Sequence, residues 1–226
     1  MEYVRVPLLS VHWTRQAFLH WPYPPALLQR FLPPPLEVDV FEGQAWVSLT
    51  PFLMSSTKVL GVPMPWGTFP ETNLRTYVRR TGGPSGVWFF SLDVTHPAML
   101  AARLVGIPYA LGHLSVEGRG RTCRYAGRRG RDGPGYELEV RTDERIEAPH
   151  LLDTWLTDRF HVYSTSAGRL WRTPAAHEPW PLFRGTLVRS EESLLAAAGL
   201  PEPAAYPLVH TSPGVGPVRL GFARRG

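Results

Sequence analysis

The 226 residues include one cysteine, Cys123, and one lysine, Lys58. A lone cysteine can close no internal disulfide and build no cysteine-based zinc site. Lysine and arginine together number 24, so twenty-three of these are arginine. A guanidinium stays protonated and is a poor nucleophile, so chemistry that needs a reactive amine must use Lys58 or the chain's own N-terminus. No run of about 18 apolar residues occurs, which leaves no candidate membrane helix. The opening Met1-Glu2-Tyr3-Val4-Arg5 lacks a basic stretch followed by an apolar core. No signal peptide is therefore expected, and the chain reads as cytoplasmic. The eight histidines, at 12, 20, 96, 113, 150, 161, 177 and 210, form no short-spaced pair, so no metal site is expected. No phosphate-binding loop, dinucleotide fingerprint or Gly-x-Ser-x-Gly string is present, and no cofactor is implied.

What the sequence does contain suits a β-rich core. Hydrophobic residues make up 43% and aromatics 12% of the chain, enough for one sizeable domain over residues 1–226. Thr72–Arg80 and Val87–Val94 read as a hairpin joined by a Gly- and Pro-containing turn. Tyr109–Glu117, Arg121–Arg128 and Tyr136–Arg141 read as a meander, with Tyr136, Leu138 and Val140 on one face. Val38–Phe41 and Ala45–Phe52 form a further hairpin signal around Glu42-Gly43, and His161–Thr165 with Arg169–Arg172 another. Pro181–Arg189 and the tail near Leu208 and Arg219 add strands. Helices are expected at Pro24–Leu32, His96–Val105, Leu151–Phe160 and Glu191–Ala198. About ten short strands with three or four helices predict an α+β, mostly β, antiparallel barrel or sandwich.

Several strings in order resemble one bacterial family. They include His20-Trp21-Pro22, Val38-Asp39-Val40-Phe41, Gly43-Gln44-Ala45-Trp46-Val47 and Phe69 through Val78. Gly86 through Asp93, Leu156 through Tyr163 and His177-Glu178-Pro179-Trp180-Pro181-Leu182 follow. Over residues 12–222 the chain resembles the YqjF-like uncharacterised family, and more distantly acetoacetate decarboxylase. The resemblance implies a cone-like antiparallel β-barrel with an interior pocket. In the decarboxylase a helix ending in Gly-Arg-Glu precedes Gly-(aromatic)-Pro-Lys, whose lysine forms the Schiff base. The comparable stretch here is Ala102-Arg103-Leu104-Val105-Gly106-Ile107-Pro108-Tyr109. Tyr109 takes the lysine's place and Leu104 that of the acid. A phenol cannot form an imine, so decarboxylation of that kind is not expected. Lys58, expected in a loop after Phe52, is a poor substitute because no second cation adjoins it in sequence.

The strongest site candidate is Glu71-Thr72-Asn73-Leu74-Arg75-Thr76-Tyr77. At strand spacing Glu71, Asn73, Arg75 and Tyr77 share a face, where arginine would be the fork for a small carboxylate or carbonyl ligand. An Arg75–Glu71 ion pair that only stabilises a barrel end is the competing reading. The resemblance adds Arg103 and Tyr109 beside the vacated amine position. His20, Arg159, Tyr163 and His177 lie in family-like strings, but their aromatic neighbours suggest packing. Without an amine, the remaining chemistry would be polarisation and proton transfer, as in a lyase or isomerase. The alternatives are a non-catalytic interaction protein, including a homo-oligomer through exposed strand edges, and nucleic-acid binding through the arginine-rich Arg119–Arg131 hairpin. Glu117, Asp132, Glu137 and Glu139 around that hairpin favour a solvated surface instead. Ser55-Ser56-Thr57-Lys58 contains a Ser-x-x-Lys string, without the helix such a nucleophile requires.

Overall fold

A computed structural model describes residues 4–226. In chain order its strands are β1 (Leu9–Tyr23), β2 (Leu36–Val38), β3 (Ala45–Val59), β4 (Val62–Pro63), β5 (Phe69–Arg80), β6 (Ser85–Val94), β7 (Tyr109–Leu111) and β8 (His113–Arg119). They continue with β9 (Thr122–Arg128), β10 (Gly135–Arg145), β11 (His161–Ser166), β12 (Arg169–Ala176), β13 (Phe183–Glu192), β14 (Leu208–Leu220) and β15 (Arg224–Arg225). The α-helices are α1 (Pro25–Gln29), α2 (Leu151–Thr157) and α3 (Leu194–Ala197), and Pro97–Val105 is a 3-10 helix. No helix among the described residues is long and apolar enough to cross a membrane.

All of these strands belong to one sheet. Its path runs β12, β11, β6, β5, β3, β1, β14, and a pairing of Ala175 with Leu220 joins β12 back to β14. That contact closes a ring. The fold is mostly β and cone-like, and antiparallel except where β6 meets β7 and β11 in parallel. β14 serves two sheets' worth of neighbours. Its beginning pairs with β13, from which β10, β9 and β8 continue as an outer arm.

The ring has a core on each side, and that explains the burial along β1. Ala17, Leu19, Trp21 and Tyr23 pack outward against Tyr125, Tyr136, Leu138 and Val140 of the arm. Phe18 and His20, on the opposite face, are buried inside the ring. Fully buried leucines such as Leu19, Leu49 and Leu74 each contribute about 2–3 kcal/mol. The arm is tied down by a hydrogen bond between Thr72 Oγ1 and the Tyr136 hydroxyl.

Bulges set which side chains face inward. In β1 the register against β3 shifts between Thr14 and Leu19, and Arg15 has φ 50°. The extra residue moves the inward phase by one, so Trp13 lines the interior before it and Gln16 and Phe18 after it. In β6 the register against β5 shifts where Leu74 pairs Ser91 and Arg75 pairs Phe89. Val87, Phe89 and Leu92 all face inward as a result.

Several expected elements differ. β1 had no counterpart in the sequence reading. β3 continues through Pro51 to Val59, so Lys58 lies on a strand and not in a loop, exposed and paired in register with Ser10 and Pro63. The Glu42-Gly43 turn closes only a Phe41–Gln44 bridge, and β2 pairs with β5 instead of β3. Ser55 through Lys58 are all in β3, so the Ser-x-x-Lys string has no helix.

Gly106 is a sharp test of the fold. It ends the 3-10 helix at φ 81°, and a Cβ there would stand 2.0 Å from the Thr165 carbonyl oxygen of β11. Gly106→Ala is expected to cost at least about 2 kcal/mol, from left-handed backbone and backbone overlap together. Urea denaturation would measure it, and a loss below half that would mean the helix end is not packed on β11 in this way.

Candidate functional site

The ring encloses a cavity of about 700 Å³. Glu71, Asn73 and Arg75 of β5 line it, as do Gln16 and Phe18 of β1, Tyr109 of β7, and Arg159 and His177 flanking β11 and β12. Thr72, Leu74 and Thr76 alternate to the other face, where Leu74 joins the outer core. Period-two alternation along β5 thus delivers three polar residues to one wall.

Glu71 and Arg75 do not pair. The Tyr109 hydroxyl donates to Glu71 Oε2 at 2.9 Å. Burial pushes the Glu71 carboxyl up to about 8; the Tyr109 hydrogen bond opposes the rise and nearby Asp93 adds to it. At neutral pH Glu71 is therefore mostly a neutral acid, able to donate its own proton. Tyr109 is held well above an ordinary phenol by burial and then by Glu71, so it stays protonated. Asn73 Oδ1 accepts from Thr50 Oγ1 at 2.6 Å, which turns its NH2 group into the free end.

Arg75 has no carboxylate partner among the described residues. Its Nη2 donates to the Leu156 carbonyl at 3.3 Å, while its buried Nε has no acceptor. The guanidinium lies 5.8 Å from the ring centres of both Phe18 and Tyr77. Arg159, by contrast, is satisfied on two sides. Its Nη1 bonds Asp39 at 2.8 Å and its Nε the Trp155 carbonyl at 2.7 Å, but its buried Nη2 is left over. His177 holds the Glu178 carbonyl through Nδ1 at 2.7 Å, and burial lowers its pKa. With Nδ1 as the donor, Nε2 is an acceptor when the ring is neutral.

Two of the six sequence candidates do not line the cavity. Tyr77 is fully buried on the same face of β5, beyond the cavity floor. Its hydroxyl donates to the Leu156 carbonyl at 2.8 Å and shares a hydrogen bond with Ser48 Oγ at 2.6 Å. Its ring lies under Arg159, 4.8 Å away, as well as beside Arg75, so it supports the two guanidinium groups from behind. Arg103 is exposed on the 3-10 helix, and its Nε donates to the Tyr109 carbonyl at 2.6 Å. It braces the backbone of Tyr109 from outside.

Of the residues read as packing, His20 and Tyr163 are core. His20 Nδ1 lies 2.6 Å from Ser48 Oγ, and the Tyr163 hydroxyl bonds the Pro84 carbonyl at 2.8 Å. Arg159 and His177, in contrast, face the cavity. Their aromatic neighbours were the signal for packing, and those same rings form the walls: Trp180 stacks on Trp13 and meets Phe18 edge-on. A lone arginine set between aromatic residues was the one clue in the sequence.

The arginine hairpin is largely engaged with the protein itself. Arg129 pairs with the buried Asp93 at 2.5 Å and Arg124 with Glu139 at 2.9 Å. Arg121 bonds the carbonyls of Thr142 and Asp143. Lys58 is not among the residues lining the cavity.

This architecture is the acetoacetate decarboxylase-like fold. Acetoacetate decarboxylase from Legionella pneumophila matches with a TM-score of 0.70 at 15% identity, over 96% of this chain and 87% of that one. The enduracididine biosynthesis enzyme MppR complexed with pyruvate matches with a TM-score of 0.68 at 16% identity, over 97% and 90%. Within that fold the chain belongs to DUF2071, a family of uncharacterized conserved proteins, whose profile matches residues 10–216. The uncharacterized protein YqjF of Bacillus subtilis is 35% identical over 208 residues, 88% of this chain and 84% of the relative.

Proposed function

We propose that the ring cavity binds a small organic acid or carbonyl compound, with its carboxylate on Arg75. The supporting observation is a surplus of donors. Arg75 faces the cavity without a counter-ion, Asn73 offers its NH2, and Glu71 offers a carboxylic proton. A carboxylate, rich in acceptors and planar, is the complement of the Arg75 guanidinium, which grips it through two parallel bonds, and acceptors further along a ligand would meet Asn73 and Glu71. The solved complex of MppR with pyruvate, on the same fold, is in keeping with such a ligand.

The chemistry open to this site is proton transfer, without an imine. Glu71, titrating near 8, can give or take a proton at a carbonyl or its enol under mild conditions. Tyr109 holds Oε2 of the carboxyl, which leaves Oε1 to carry the proton. An imine needs a neutral amine at the ligand, and Lys58 is exposed on β3 and is not itself among the lining residues, although its neighbour Val59 is.

A thermal-shift panel of keto and hydroxy acids tests this reading. A stabilising hit is expected to vanish in Arg75→Ala and to persist in Lys58→Ala. Loss of the hit in Lys58→Ala, or a borohydride-trapped adduct on Lys58, would sink the reading.

A further inference from the structure

The polar groups occupy only part of the cavity wall. Phe52, Leu92, Met99, Ala102 and Ile107 line the stretch around the mutually hydrogen-bonded Glu71 and Tyr109, and none of these five side chains can hydrogen-bond a ligand. Leu8, Leu104 and Phe222 line the same cavity yet are 38%, 83% and 49% exposed. They mark its mouth, where the entry to β1, the 3-10 helix and the β14–β15 link meet. The arginine end is closed: Arg159 and His177 are 8% and 5% exposed, His177 packs against Trp13 and Trp180, and Arg159 lies over Trp155 and Tyr77.

Size points the same way. At about 30 Å³ for each water-sized group, 700 Å³ takes roughly twenty non-hydrogen atoms. A three-carbon keto acid fills only about a quarter of that. The polar wall is itself long, because Glu71 and Arg75 are four residues apart on a strand, about 13 Å along its axis. A second charge on the ligand has nowhere to go. Arg75 is the one cation in the lining without a carboxylate partner among the described residues. The region around Glu71 already disfavours ionisation.

We propose that the ligand is a monocarboxylic acid with an extended apolar chain, aliphatic or aryl-alkyl. It enters head first, with its carboxylate on Arg75 and its chain leading out between Leu8, Leu104 and Phe222. This rests on the carboxylate-binding reading above and names the substrate class for it. The apolar rim then has a purpose, since it covers the last carbons of the chain and is covered by them.

The test is a titration of the full chain with acetate, butanoate, hexanoate, octanoate and decanoate below their micellar concentrations. Pyruvate and decanol serve as references, and tryptophan fluorescence gives the readout. Each added methylene is expected to tighten binding about fourfold until the cavity is full. Leu104→Asp alters an exposed side chain and so leaves folding intact. It is expected to weaken decanoate several-fold and leave butanoate unchanged. A flat chain-length series, with pyruvate as tight as octanoate, overturns the extended-chain ligand and leaves carboxylate binding standing. Decanol as tight as decanoate, with Arg75→Gln silent, overturns carboxylate binding itself. Equal losses for butanoate and decanoate in Leu104→Asp overturn the head-first orientation.

Discussion

Glu71→Gln is expected to make the protein increasingly more stable than the wild type as pH rises from about 4.5 to about 8. The unfolded chain releases the Glu71 proton near the ordinary glutamate value of 4.5, whereas the folded protein keeps it to about 8. Over that window the folded state holds a proton that the unfolded state has lost, so wild-type stability falls as pH rises. The contribution is fully present below 4.5 and is gone above 8, a swing of up to about 5 kcal/mol. Glutamine preserves the shape and still accepts from Tyr109, but it cannot ionise. Buried Asp93 also titrates high, and His177 and His210 titrate low. The two histidines are shared by both proteins and cancel in the difference, whereas Asp93 couples to Glu71 and is part of the shift that the comparison reads. Chemical denaturation of the pair at five or six pH values gives the curve directly. Parallel profiles would mean that Glu71 ionises normally and is not the neutral acid described above.

Arg75→Gln carries the second large effect, and it falls on binding instead of folding. The wild-type side chain has no carboxylate to lose and spends one donor on the Leu156 carbonyl. Removing it relieves a half-buried, uncompensated cation, so stability should change by no more than about 1 kcal/mol. A bound carboxylate, however, loses charge-assisted hydrogen bonds worth about 3 kcal/mol, close to a hundredfold in affinity. Arg159 offers the contrast. Its bond to Asp39 is a buried ion pair with side-chain exposures of 4% and 14%, so truncating it leaves Asp39 stranded and destabilises the fold. The two arginines share a cavity, but only Arg159 is held by a carboxylate among the described residues.

How much of this could be read from the residues depends on the local pattern. β5 alternates Glu71, Asn73 and Arg75 with the small or apolar Thr72, Leu74, Thr76 and Val78, so the common face of the first three was visible at once. The β9–β10 meander was equally plain, because only one of its faces is covered. β1 was invisible for the opposite reason. It is buried on both faces, and the bulge at Arg15 interrupts its period, so neither alternation nor a helical repeat survives. Arg103 was placed by likeness to a lysine-bearing helix end, but the segment winds as a 3-10 helix. Its last turn leaves Arg103 outside, holding only the Tyr109 carbonyl. Arg159 and His177 become neighbours of Arg75 only through ring closure, a contact between distant segments that no local string encodes.

The central claim is that Arg75 makes this cavity a carboxylate site. Calorimetric titration of wild type and Arg75→Gln with octanoate and with octanamide tests it most directly, because the two ligands share shape and chain and differ in charge. The expected result is that the wild type prefers the acid by about a hundredfold and that the preference disappears in the variant. Equal affinity of the wild type for acid and amide would contradict the account.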